Sequence, residues 1–216
     1  MKKLLKVAFG SFILLAAVVG QTPKPDRKVE GSVINSTHDP AVRIQLPKAV
    51  KYAGADRWVL YGVADCEVHA FTEPDSQNNV KALYWVQFEG YIPSSPDMQY
   101  NYDSTRHVTL GGMDFFVDTW ARSDDEKIRA GSDREHVEAL IRSKGLKMPA
   151  GVAYVRLVHL LEAQKRKELM IIYGEDVAPT GFTVSDLREG GKAHDQWPVI
   201  ENGLIENAKK KISITP

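Results

Sequence analysis

Residues Arg57–Ile92 read RWVLYGVADCEVHAFTEPDSQNNVKALYWVQFEGYI, and the fold follows from how this stretch alternates. Successive side chains of an extended chain point to opposite faces. Trp58, Leu60, Ala64, Cys66, Val68 and Ala70 therefore share one face, which is apolar throughout. The other face starts with Val59, Tyr61 and Val63 and turns polar at Asp65, Glu67 and His69. Further on, Ala82, Tyr84, Val86 and Phe88 alternate against Leu83, Trp85, Gln87, Glu89 and Tyr91. This aromatic and β-branched content suits a pleated, half-buried surface. Between the two runs, Glu73–Asn79 holds the Pro, Asp, Ser and Asn residues that favour turns. The stretch predicts a long hairpin, Arg57–Thr72 against Val80–Ile92.

Outward from it, Val152–Glu162 and Lys167–Val177 predict a second long hairpin, apolar enough to lie centrally with both faces covered. Arg156 and His159 interrupt it on opposite faces. A buried Arg needs a partner, and Glu67, Glu89 or Asp118 would serve; His159 reads as a hydrogen-bonded core histidine. Ala41–Leu46, Val108–Leu110 and Met113–Trp120 read as further strands.

Ser132–Lys144 predicts a helix. Ser132 and Glu135 have the spacing of a capping box, Val137, Leu140 and Ile141 make an apolar stripe, and Gly145 suits the C-terminal end. Capping accounts for Ser132, while Asp133 and His136 fall on the exposed helix flank. Thr183–Glu189 predicts a turn or two of helix, and Pro198–Lys211 a C-terminal helix with Pro in its first turn. The expected fold class is α+β: a curved antiparallel β-sheet built from two long hairpins, with the mid-chain and C-terminal helices packed on it.

The first 20 residues predict a signal peptide. Lys2, Lys3 and Lys6 precede the apolar run Val7–Val19, and Gly20 is a small residue at a cleavage point, the pattern of a bacterial export signal. That run falls short of the roughly 20 residues a spanning helix needs. The expectation is a periplasmic or secreted chain with no stable membrane span after cleavage. Residues 21–40, polar and holding three prolines, predict a flexible lead-in. Residues 41–216 predict a single domain.

The chain has 28 basic and 28 acidic residues, so loss of the three leader lysines leaves a mature charge near −3. That balance argues against a nucleic-acid binder, which shows a basic patch or stripe. Cys66 is the only cysteine, so no intramolecular disulfide forms, and on its apolar face it reads as a small buried hydrophobe.

None of the strong catalytic patterns occurs: the chain has no H-E-x-x-H, G-x-S-x-G, G-x-x-x-x-G-K-[ST] or C-x-x-C. What remains is Asp65-x-Glu67-x-His69, three potential metal ligands on one strand face. Neighbours on such a face stand about 6–7 Å apart, so one ion does not readily take all three. Glu89 or Asp118 would have to join them from a neighbouring strand of the same face. Glu67, His69 and Glu89 are the catalytic candidates, and a divalent metal on Asp65, Glu67 and His69 is the one cofactor these residues suggest. Against that stands a salt-bridged face paired with Arg156 or Arg122. The polar segment Pro93–His107 carries Tyr100 and Tyr102 and has the length of a functional loop. Two functions follow as expectations. One is a non-enzymatic module of the cell envelope that binds a small ligand or an envelope partner. The other is a metal-dependent or acid–base hydrolytic enzyme on the Asp65/Glu67/His69 face.

Overall fold

The computed structural model describes residues 23–216; the leader and its cleavage point lie outside the described residues. Eleven strands run in chain order as β1 Lys28–Glu30, β2 Val33–Thr37, β3 Ala41–Gln45, β4 Lys51–Leu60, β5 Ala64–Pro74, β6 Val80–Tyr91, β7 His107–Leu110, β8 Met113–Ser123, β9 Gly151–Leu160, β10 Lys167–Asp176 and β11 Ser213–Thr215. The helices are α1 Asp133–Ser143, α2 Val184–Leu187 and α3 Trp197–Lys211. Seven strands pair antiparallel in the order β4-β5-β6-β10-β9-β8-β7, and the other four form a small sheet β1-β2-β3-β11. The fold class is α+β.

The central position of β9 and β10 follows from their composition, since an almost wholly apolar strand needs cover on both faces. On one face, Tyr84, Val86, Phe115, Leu157 and Ile171 pack against Ile34, Val42 and Ile44 of the small sheet and Leu204 and Ala208 of α3. On the other, Trp58, Cys66, Val68 and Ala70 pack against Val137 and Ile141 of α1. No helix among the described residues is long and apolar enough to cross a membrane.

Three predicted boundaries differ. The run Arg57–Thr72 is two strands rather than one, because Tyr61 and Gly62 adopt φ of 48° and 78° and turn the chain between Leu60 and Ala64. Trp58 consequently lies opposite Cys66, and the apolar face is preserved across the turn. The segment expected to be a flexible lead-in carries β1 and β2 instead, joined through Gly31 at φ 62°. Ile34 gives it an apolar anchor in the core, and Arg27 ties it to the main sheet. Ser213–Thr215 form β11, which pairs with β3 as an edge strand of the small sheet just after α3.

The caps of α1 and α2 follow the local chemistry. Ser132 Oγ accepts from Glu135 N–H, but Glu135 reaches back to Gly131 N–H rather than to Ser132, so the expected box is half formed. A full reciprocal box occurs at α2, between Thr183 and Asp186.

Candidate ligand-binding site

Asp65, Glu67 and His69 lie on the β5 face that looks toward the small sheet, and each is occupied by other protein groups. Arg57 holds Asp65 through two hydrogen bonds of 3.0 and 2.7 Å. Glu67 is buried and accepts from the backbone N–H of Asp26 (2.9 Å) and Arg27 (2.8 Å) and from the Arg27 guanidinium (2.9 Å). His69, also buried, lies 2.9 Å from Glu67 through Nε2 and 3.1 Å from the Tyr52 hydroxyl through Nδ1. Burial acts to raise the Glu67 pKa, but the hydrogen bonds from His69, the two amides and Arg27 outweigh it and bring the carboxyl down to about 2. Burial and the Glu67 charge push the Tyr52 hydroxyl up to about 12, the opposite of an activated phenol. A cleft of about 220 Å³ opens beside these groups, and Arg27–Glu67, Arg57–Asp65 and Lys167–Asp39 neutralise one another along it.

Glu89 does not close this trio into a site. In the β5–β6 register Glu67 lies opposite Phe88 and Glu89 opposite Cys66, which puts Glu89 on the other face of the sheet. Asp118 shares that other face and takes Arg156 at 2.6 Å, one of the partners the sequence suggested for this arginine. His159 bonds the Asp114 carbonyl at 2.8 Å and is only half-buried.

On the α1 face, Glu89 meets Glu168 directly across the β6–β10 ladder. Like charges set opposite each other on neighbouring strands destabilise a sheet, and here two hydroxyls of the Pro93–His107 loop attend them. Tyr100 donates to Glu89 at 2.9 Å and Tyr102 to Glu168 at 2.7 Å. Gln87 bridges onward, accepting from Trp85 Nε1 at 2.8 Å and donating to Glu89 at 2.7 Å. Asp133, the first residue of α1, completes the group, with donor atoms of Cys66, Glu89 and Asp133 all within 4.8 Å of one another. Among the described residues none of Glu89, Glu168 and Asp133 has a Lys, Arg or His ion-pair partner.

The electrostatic outcome is the reverse of that at Glu67. Burial, reinforced by the Glu89 charge, pushes Glu168 up to about 8. The same two causes bring Asp133 to about 6. Burial also raises the Cys66 thiol, so it stays protonated at neutral pH unless a metal displaces its proton. Cys66, Glu89 and Asp133 are the described residues placed to share a metal ion.

Asp133 also belongs to the wall of a cavity of about 360 Å³. Its floor is the sheet: Trp85, Met170 and Ile172, with Trp120 and Arg156 beside them. Its rim is the segment between β8 and α1, which contributes Glu126, Lys127, Arg129 and Ser132. Two buried polar atoms of this wall, Trp120 Nε1 and Asp133 Oδ1, have no protein hydrogen-bond partner. A larger cleft of about 520 Å³ runs between Asp124, Ala150, Asp176 and Phe182 beside α2, and none of the buried side-chain nitrogen or oxygen atoms that lack a partner among the described residues belongs to its lining.

The expected exposed flank of α1 is a correction. Asp133 is half-buried, and His136 stacks on Trp58 at 4.0 Å between ring centroids while bonding Asp56 at 2.7 Å. Glu168 is not among the site residues read from the sequence; the signal for it is an acidic residue heading an otherwise apolar central strand. No family model, no curated protein and no solved structure matches the chain.

Proposed function

We propose that this is an exported module of the cell envelope that binds a small polar molecule in the cavity between the sheet and the Asp124–Ser132 segment. Export rests on the leader, with Lys2, Lys3 and Lys6 ahead of the apolar run Val7–Val19. The cavity carries the binding reading. Its volume of about 360 Å³ lies within the range of small-molecule sites, and its lining combines an aromatic and apolar floor with a few converging polar groups. Asp133, whose Oδ1 has no protein partner, adds a carboxyl that a turn about its terminal torsion offers to a ligand, and a ligand gains most where it supplies a missing partner.

The test is native mass spectrometry of the purified protein, prepared without chelator or metal-affinity resin, beside elemental analysis. The reading predicts a bound small molecule that is lost in Trp120→Ala while the circular dichroism spectrum is unchanged. A ligand retained by that variant would place binding elsewhere and sink the proposal.

The second reading, a metal-dependent or acid–base hydrolytic enzyme, is favoured by one observation. Asp133 presents a carboxyl brought to about 6 in the wall of a cavity, within the range where a group both takes and gives protons near neutral pH. On the Asp65/Glu67/His69 face the same reading would require displacing Arg27 and Arg57 from their carboxylates. A stoichiometric transition metal lost in Asp65→Ala and His69→Ala would put the enzyme first on that face. A metal lost in Cys66→Ser and Asp133→Asn would put it first on the opposite one.

A further inference from the structure

Resting on the binding reading, we infer that the cavity takes a hydroxylated ring bearing a carboxylate, the chemistry of a sugar acid. Each part of that description comes from a different part of the wall. The floor offers the indoles of Trp85 and Trp120 with the side chains of Met170 and Ile172, a surface that suits the flat C–H face of one ring. The volume of about 360 Å³ accommodates one such ring with its substituents.

The hydroxyls follow from Asp133. Its Oδ1 has no protein hydrogen-bond partner, and although that atom is shielded by the wall, the broad terminal torsion of an Asp side chain lets the carboxyl turn toward a ligand. A hydroxyl group donates to it, whereas a plain aromatic carboxylate has nothing to give.

The negative charge follows from the cations. Arg122, Arg134 and Arg156 of the wall face Glu126, Glu138 and Asp118 respectively. Lys127 and Arg129, on the rim, have no carboxylate partner among the described residues; the Arg129 guanidinium lies 4.2 Å from the centre of the Tyr61 ring. Two unneutralised cations at the mouth of a cavity whose floor is apolar favour an anionic group at the rim and its ring below.

The experiment is a calorimetric titration of the purified protein with three probes, D-glucuronate, D-glucose and benzoate. The neutral sugar lacks the charge and benzoate lacks the hydroxyls. Glucuronate should bind about tenfold more tightly than either, the equivalent of one good charged or hydrogen-bonded contact. The double variant Lys127→Ala/Arg129→Ala, at exposed positions that folding does not need, should bring glucuronate to within about twofold of glucose.

Glucose binding as tightly as glucuronate in the parent protein would overturn the charge, and benzoate binding as tightly would overturn the hydroxyls. In both cases the binding module itself survives. Failure of all three probes to bind would overturn the inference outright, while a co-purified ligand lost in Trp120→Ala would still uphold the broader reading. A glucuronate trimer separates the two sources of this chemistry. Tighter binding than the monomer identifies a polysaccharide end, and weaker binding identifies the free acid.

Discussion

Two buried glutamates lie on opposite faces of the seven-stranded sheet, Glu67 on β5 and Glu168 on β10, and their surroundings drive them in opposite directions. Glu67 faces the small sheet with a guanidinium, two backbone amides and a histidine around it, and is held near 2. Glu168 faces α1 with one tyrosine hydroxyl and a second glutamate across the ladder, and is pushed up to about 8. Burial opposes the charge in both cases, so burial alone does not decide the state of an acid; the donors around it do. A fully provided carboxylate acts as a tie between parts of the fold. An under-provided group of carboxylates, adjoining a cavity through Asp133, is free to respond to what enters.

The largest expected effect comes from removing the tie. Arg27→Met takes away the guanidinium while leaving Glu67 buried, and loss of one partner of a buried pair costs about 3–5 kcal/mol. The remaining amide and His69 hydrogen bonds place the expectation at the lower end. A urea titration should show a large fall in midpoint with an unchanged slope. A fall equivalent to less than about 1 kcal/mol would mean that Glu67 is no better provided for than Glu168, and the contrast between the faces would collapse.

How much of this contrast was legible beforehand depended on whether it arose along one strand or between strands. The alternation of Trp58–Phe71 and Val80–Ile92 gave both faces of the hairpin correctly, because period-two patterning is local. The turn at Tyr61-Gly62 is not legible in the sequence, because Tyr is an unusual residue at positive φ and the apolar alternation runs on through it. β1, β2 and β11 are three to five residues long and owe their existence to partners distant in sequence, such as Arg27 reaching Glu67 forty residues away. Asp65, Glu67 and His69 read as a polar strand face, but the arginines that take the two carboxylates come from the supposed lead-in and from across the β4–β5 turn. Glu89 and the Tyr100/Tyr102 loop stand out in the sequence; that Glu89 meets Glu168 and Asp133 is a matter of register and helix placement, which no short window contains.

A second prediction separates the faces by pH. An acid whose folded pKa lies above its unfolded value keeps its proton in the native state while the unfolded chain releases it, so stability falls as pH rises between the two values. For Glu168 that window runs from about 4.3, the unperturbed value, to about 8. Glu67 behaves in the opposite sense: its contribution is present above about 4.3 and is lost as pH falls toward about 2. Glu168→Gln should therefore leave stability near its parent value at pH 4 and raise it by about 2 kcal/mol at pH 9, on the scale of 1.36 kcal/mol per unit discounted for relaxation of a buried site. Thermal midpoints across pH 4 to 9 read this directly. A parallel offset at every pH would mean that Glu168 ionises normally and that the carboxylates of the α1 face are not under strain.

The smallest effect concerns the loop that attends those carboxylates. Tyr102→Phe removes the hydroxyl donated to Glu168, at a cost of about 1 kcal/mol for one hydrogen bond to a buried acceptor. Its more telling consequence is on the titration. The hydroxyl lowers the Glu168 pKa against burial and the Glu89 charge, so its removal should extend the falling limb of the stability profile to higher pH. Tyr100→Phe acts on Glu89 and should cost about the same. With Glu168→Gln already in place, the Tyr102 hydroxyl no longer bonds an ionisable group, and adding Tyr102→Phe, which keeps the ring beside Arg156, should leave the pH profile unchanged. That double variant separates two roles for the Pro93–His107 loop. If the profile still moves, the loop acts by packing over the sheet; if it does not, the tyrosine hydroxyl sets the charge state of Glu168, and through it the electrostatics that Asp133 carries to the cavity wall.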